Sequence, residues 1–229
     1  MSLPLALAER TLASILDSHE LTLVRDEVLG NTFGDVGRLR TWRGSAVAKV
    51  VNISLVVPQF QLDSHMIFAF TPEDSAVPHF TLDSVYGGAY YAFHLDLIPR
   101  AELASHLSYM DEAFAPLTPV FEETTALEGL SKAAIGPRQY AVMSPWMLVH
   151  RATEEAFGTI GEAVAAYQAH WSALVHKGLQ VDDTDLAARD ALVRGNIFSR
   201  DVDPVWAQVS RLLGDETTDM LRAELISNG

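Results

Sequence analysis

The 229 residues carry 16 Lys and Arg against 30 Asp and Glu, a formal net charge of −14, with no cysteine and 48% apolar content. This balance argues against nucleic acid and anionic membrane surfaces as partners, and the missing thiols exclude disulfides, thiolate-bound zinc or iron–sulfur clusters and a cysteine nucleophile. No apolar run reaches membrane-spanning length and no basic leader precedes the first apolar stretch, so one domain over 1–229, in the cytoplasm, is expected.

In chain order, Ser2 caps a helix with Pro4 in its first turn. Leu5, Ala8, Leu12 and Leu16 recur at helical spacing to an end near residues 17–19. Strand patterns follow at 21–28, 36–43, 46–57, 65–71, 79–86 and 89–97, separated by short connections, which predicts an antiparallel meander. Residues 101–114 read as a helix, and 115–141 as a Pro-punctuated loop with short helices. Residues 153–176 read as one long helix with Phe157, Ile160, Val164, Tyr167, Trp171 and Val175 on one side. Asp182-Asp183-Thr184 opens a helix to about Arg194, Asp203-Pro204 opens another over 205–213, Gly214 stops it, and 216–226 is the last. The fold class is α+β: a central antiparallel sheet of six to seven strands with helices on both sides, an α/β/α sandwich.

Chemistry concentrates in the 79–97 hairpin. A two-residue turn at Gly87-Gly88 sets His79 opposite Asp96, Thr81 opposite His94 and Asp83 opposite Ala92. Alternation then gives Phe80, Leu82, Phe93 and Leu95 to a core face. The other face carries His79, Thr81, Asp83, Tyr90, His94 and Asp96. Charged groups on a covered face call for a cavity, since burial without partners is costly. Two plainer readings stand beside that one: a solvent-facing surface, or a His79–Asp96 pair at the open end of the hairpin. His94-Leu95-Asp96 also has the H-x-D form of iron(II) oxygenase sites, with His150 or His170 as the third ligand, although neither lies in a clear strand pattern. Asp203 has a sufficient role as a helix cap. Trp42, Trp146, Trp171 and Trp206 read as core or cavity lining. No G-x-S-x-G elbow, phosphate loop or G-x-G-x-x-G fingerprint occurs, so no nucleotide is expected.

The hairpin, and Leu95-Asp96-Leu97-Ile98-Pro99-Arg100 in particular, resembles the red chlorophyll catabolite reductases and the related ferredoxin-dependent bilin reductases. Arg200-Asp201-Val202-Asp203-Pro204 with Leu212-Leu213-Gly214 is similar to their C-terminal region. The resemblance implies reduction of a linear tetrapyrrole with no bound flavin or metal, with electrons arriving singly from ferredoxin. It implies Asp83, Asp96 and Asp203 as proton donors, with His94 as a relay. His79, Thr81 and Tyr90 would line the substrate. Arg100, Arg151 or Arg138 would meet its propionates, and Arg38, Arg40, Arg43 and Lys49 would form the ferredoxin patch. Asp83 is shorter than the Glu usual at that strand position. The chain is also acidic for a partner of acidic ferredoxins. A tetrapyrrole- or small-molecule-binding protein without turnover is the alternative on the same fold.

Overall fold

Among the described residues, 1–32 and 34–228 of the computed structural model, eight strands form one antiparallel sheet. The first six strands are β1 (Thr22–Asn31), β2 (Gly34–Arg43), β3 (Lys49–Val57), β4 (Leu62–Phe70), β5 (His79–Gly87) and β6 (Tyr91–Ile98). Each pairs with its sequence neighbour, because connections this short reach only an antiparallel partner. Beyond β6 come β8 (Leu148–Ala152) and then, on the edge, β7 (Leu130–Lys132). The expected six to seven strands are thus eight: the stretch read as loop holds β7, and His150 lies in β8.

Helices cover both faces. Ser2 Oγ accepts the Leu5 N–H (3.3 Å) and opens α1 (Leu3–Ser18), whose Leu7, Ala8, Leu12 and Ile15 pack on Phe80, Leu82 and Phe93. After β6 come α2 (Leu107–Ala113), α3 (Thr118–Thr125) and α4 (Pro137–Val142). The helix expected from residue 101 begins only at Leu107. The long helix expected over 153–176 is two, α5 (Glu154–Thr159) and α6 (Gly161–Lys177). Their junction, Ile160, sits between Gly158 and Gly161, which weaken helix propagation there. The second face is covered by α7 (Leu186–Ile197), α8 (Val205–Leu213) and α9 (Asp215–Ile226). Ile197, Phe198, Trp206, Leu213, Leu221 and Leu225 there pack against Leu39, Val51, Ile53 and Phe68. Gly214, at φ +82°, ends α8 where a side chain would strain the backbone.

Close pairing at the β2–β3 seam leaves no room beside Gly37, where an added Cβ would lie 2.3 Å from the Ser54 carbonyl oxygen. Gly37→Ala is therefore expected to lose about 1–3 kcal/mol of stability, as overpacked sites do, read as a lower urea midpoint at unchanged slope.

The hairpin turn is centred one residue later than the sequence suggests. Gly87 N donates to Tyr90 O (3.1 Å) and Ala89 N to Gly87 O (2.9 Å), so Gly88, at φ +78°, and Ala89 occupy the bend. Every predicted pairing moves by two residues: Asp83 faces His94, Thr81 faces Asp96, and His79 faces Ile98. An even shift leaves each side chain on its expected face.

Candidate functional site

Between the second sheet face and the C-terminal helices lies a cavity of about 240 Å³. β5 supplies Asp83 and β6 supplies His94, directly opposite each other, with Nδ1 to Oδ2 at 3.7 Å, an ion-pair distance rather than a hydrogen bond. The segment entering α8 supplies Asp203. The helix cap is Pro204, one residue later than expected, and the Asp203 carboxylate accepts from the Val205 N–H at 3.0 Å and the Gln139 amide at 3.3 Å. The remaining wall is largely apolar, with Met66, Met143, Met147, Ile197, Phe198 and Trp206 prominent. Two carboxylates and an imidazole thus project into a mostly nonpolar space, the setting that shifts proton affinities most.

Burial pulls His94 down, but the charges of Asp83, Asp96 and Asp203 outweigh it and raise its pKa above the ordinary histidine value. Burial and the charge of Asp83 raise Asp203, against the opposing Val205 N–H and His94. Asp96 is on the same sheet face but outside the cavity wall, fully buried. Ser144 donates to it twice, from N at 2.9 Å and from Oγ at 2.5 Å. Burial raises its pKa to about 6, with His94 and Ser144 opposing. Ser144→Ala removes one opposing donor, so the Asp96 pKa is expected to climb further above about 6. Carboxyl-labelled NMR titration reads that shift; an unchanged or lower value would contradict the Ser144 assignment.

These elements have a solved counterpart. The fold is similar to that of phytochromobilin synthase from tomato, whose structure was determined in complex with biliverdin. The match has a TM-score of 0.77 at 14% identity and covers 97% of this chain and 82% of the other. At that identity the likeness carries the fold. No protein-family model matches the sequence, and no curated protein sequence is significantly similar.

The remaining sequence-predicted residues are placed elsewhere. His79 is buried away from the cavity. Its Nδ1 accepts from Thr71 N at 3.1 Å and its Nε2 meets Asp190 Oδ1 at 2.6 Å, which fixes the tautomer. Arg100, expected at a propionate, belongs to the same cluster, 3.2 Å from Asp190, and is 1% exposed. Thr81 is fully buried beside Asp96. Tyr90 lies at the turn with Arg151 stacked 4.3 Å over its ring, and Arg138 reaches the Asp201 carbonyl. None of these lines the cavity. The four cations expected to meet ferredoxin each have a partner within the protein. Lys49 is buried against the Glu224 and Ser227 carbonyls, Arg38 is paired bidentately with Asp26, Arg40 bonds Glu9 and Asn52, and Arg43 bonds the Asn228 carbonyl. Four cations close in sequence here answer local acceptors on neighbouring strands, on α1 and on the C-terminal segment.

The iron-site alternative fails on strand parity. His150 pairs with Phe93, so it points to the sheet face opposite His94, and His170 bonds the Ala113 carbonyl on that opposite side. Among the described residues no group of three His, Asp or Glu is placed to hold a metal. Sequence reasoning missed Gln139, Ser144 and the three methionines. The stretch holding Gln139 and Ser144 has little periodicity, though the Gly136–Gln139 spacing marks the capped start of α4.

Proposed function

We propose that this chain reduces a linear tetrapyrrole, with electrons delivered one at a time by ferredoxin or a similar carrier. In each cycle two electrons and two protons add across one double bond of the conjugated ligand. The electrons come from the carrier, and the protons from the Asp83–His94–Asp203 group. The observation that carries this reading is the convergence of those three groups on an apolar cavity between sheet and C-terminal helices. The fold shared with a biliverdin-bound phytochromobilin synthase supports the ligand class. Asp96 would act behind them as a buried charge reservoir, since its proton affinity is coupled to His94.

The cavity of about 240 Å³ is smaller than the roughly 300–1,000 Å³ usual for drug-sized ligands. A four-ring ligand would therefore push back part of the wall, and Met143 and Met147 are its flexible members. The test mixes the protein with biliverdin, and separately with red chlorophyll catabolite, and follows visible absorbance with and without reduced ferredoxin. The reading requires a spectral shift on mixing and bleaching of the conjugated band on reduction. A shift without bleaching would favour a binding protein.

A further inference from the structure

Among the described residues, the cavity wall has two carboxylates, Asp83 and Asp203, and neither lysine nor arginine. With both carboxylates ionised, its charged groups sum to −1 even when His94 is protonated. The arginines expected to meet an anionic ligand lie outside that wall: Arg100 is buried against Asp190, Arg138 bonds the Asp201 carbonyl, and Arg151 stacks over Tyr90. Three buried polar atoms of the lining residues have no partner in the protein: Asp83 Oδ1, His94 Nε2 and Trp206 Nε1. The first is an acceptor and the last a donor, and unmet buried groups of this kind are costly until a ligand answers them.

We infer that the cavity selects by charge, admitting an uncharged conjugated molecule that bears an N–H donor and excluding anionic groups from its interior. An anion entering would shed its water beside two carboxylates with no cation to replace it, whereas an N–H meets Asp83 directly. The extension to tetrapyrroles rests on the function proposed above. For such a ligand, esterified propionates are expected to bind more tightly than free ones.

The test uses two dyes with one aromatic frame and one amine N–H, N-phenyl-1-naphthylamine and its sulfonate, 1-anilinonaphthalene-8-sulfonate, titrated by fluorescence. The neutral dye is expected to bind about 100-fold more tightly, the scale of like-charge juxtaposition. The D83N/D203N double variant should narrow that ratio by strengthening the sulfonate alone. Met147→Trp, which fills the cavity, should abolish binding of both, and thermal melts check that each variant is folded. Equal affinities, a ratio unchanged by D83N/D203N, or failure of the neutral dye to bind would overturn the inference. A second arm compares biliverdin with its dimethyl ester by absorbance. Tighter binding of the ester supports the charge rule, and tighter binding of the diacid overturns it. If neither pigment binds while the dye ratio holds, the tetrapyrrole reading fails and the charge rule stands.

Discussion

Asp190→Ala is expected to destabilise the fold by about 3–5 kcal/mol, the scale of breaking a buried ion cluster from one side. Asp190, on α7, is 1% exposed and touches His79 at 2.6 Å, Arg194 at 2.9 Å and Arg100 at 3.2 Å. Burial alone would raise its pKa, but His79 and the two guanidiniums outweigh that and hold it low. Removing the carboxylate leaves two buried guanidiniums without a counter-charge. That is a large share of the roughly 5–15 kcal/mol available to a domain. Asp190→Asn keeps an acceptor and should lose less. Urea unfolding of both variants measures the ordering, and equal midpoints for Asp190→Ala and the parent would refute it. The cluster also sets an acid limit. Burial, with Arg100 and Arg194 nearby, pushes His79 far below its ordinary value. A depressed folded pKa means the unfolded chain takes up the proton first. Stability from this group is therefore complete above about 6.5 and is lost as pH falls below it. In His79→Gln that slope between about pH 4 and 6.5 should flatten.

The second large effect is on turnover. Asp83→Asn and Asp203→Asn are each expected to lower the reduction rate by about 10²–10⁴-fold, the usual contribution of a positioned proton donor. Ligand-induced absorbance shifts should persist, because an amide keeps the shape of the wall. Loss of binding in step with turnover would instead mark these groups as structural. The pH profile has a fixed sign. His94 and Asp203 both have raised pKa values, and under the proposed function their protonated forms would be the donors. The rate should therefore fall as pH rises through those values, and the alkaline limb should change shape in His94→Gln.

What the sequence revealed follows physical pattern strength. The first six strands were legible because each is a run of eight to ten residues bounded by turn residues, a stronger signal than a shorter run gives. β7 has three residues and β8 five, too few for any period to show, so the sheet was expected narrower than it is. Asp83, His94 and Asp203 were legible as cavity candidates, two by strand parity and one by resemblance. Asp190 was not: an Asp four residues before an Arg on a helix has the same spacing whether the pair is buried or exposed. Only the tertiary fold brings His79 and Arg100 onto them. For the same reason His79 and Arg100 were expected at the ligand and instead stabilise the packing of α7 on the sheet.

The displaced hairpin bend has a consequence for how this site can vary. A turn moved by one residue slides two strands past each other by two, so the inventory of groups facing the cavity is conserved while their pairings are reassigned. With the bend at Gly87-Gly88 the imidazole of His94 would have sat opposite a threonine hydroxyl; with it at Gly88-Ala89 the partner is the Asp83 carboxylate. The loop at the far end of the ribbon thus sets which side chain faces His94. A chain of this kind can retune its chemistry by editing a surface turn, leaving every residue of the cavity untouched.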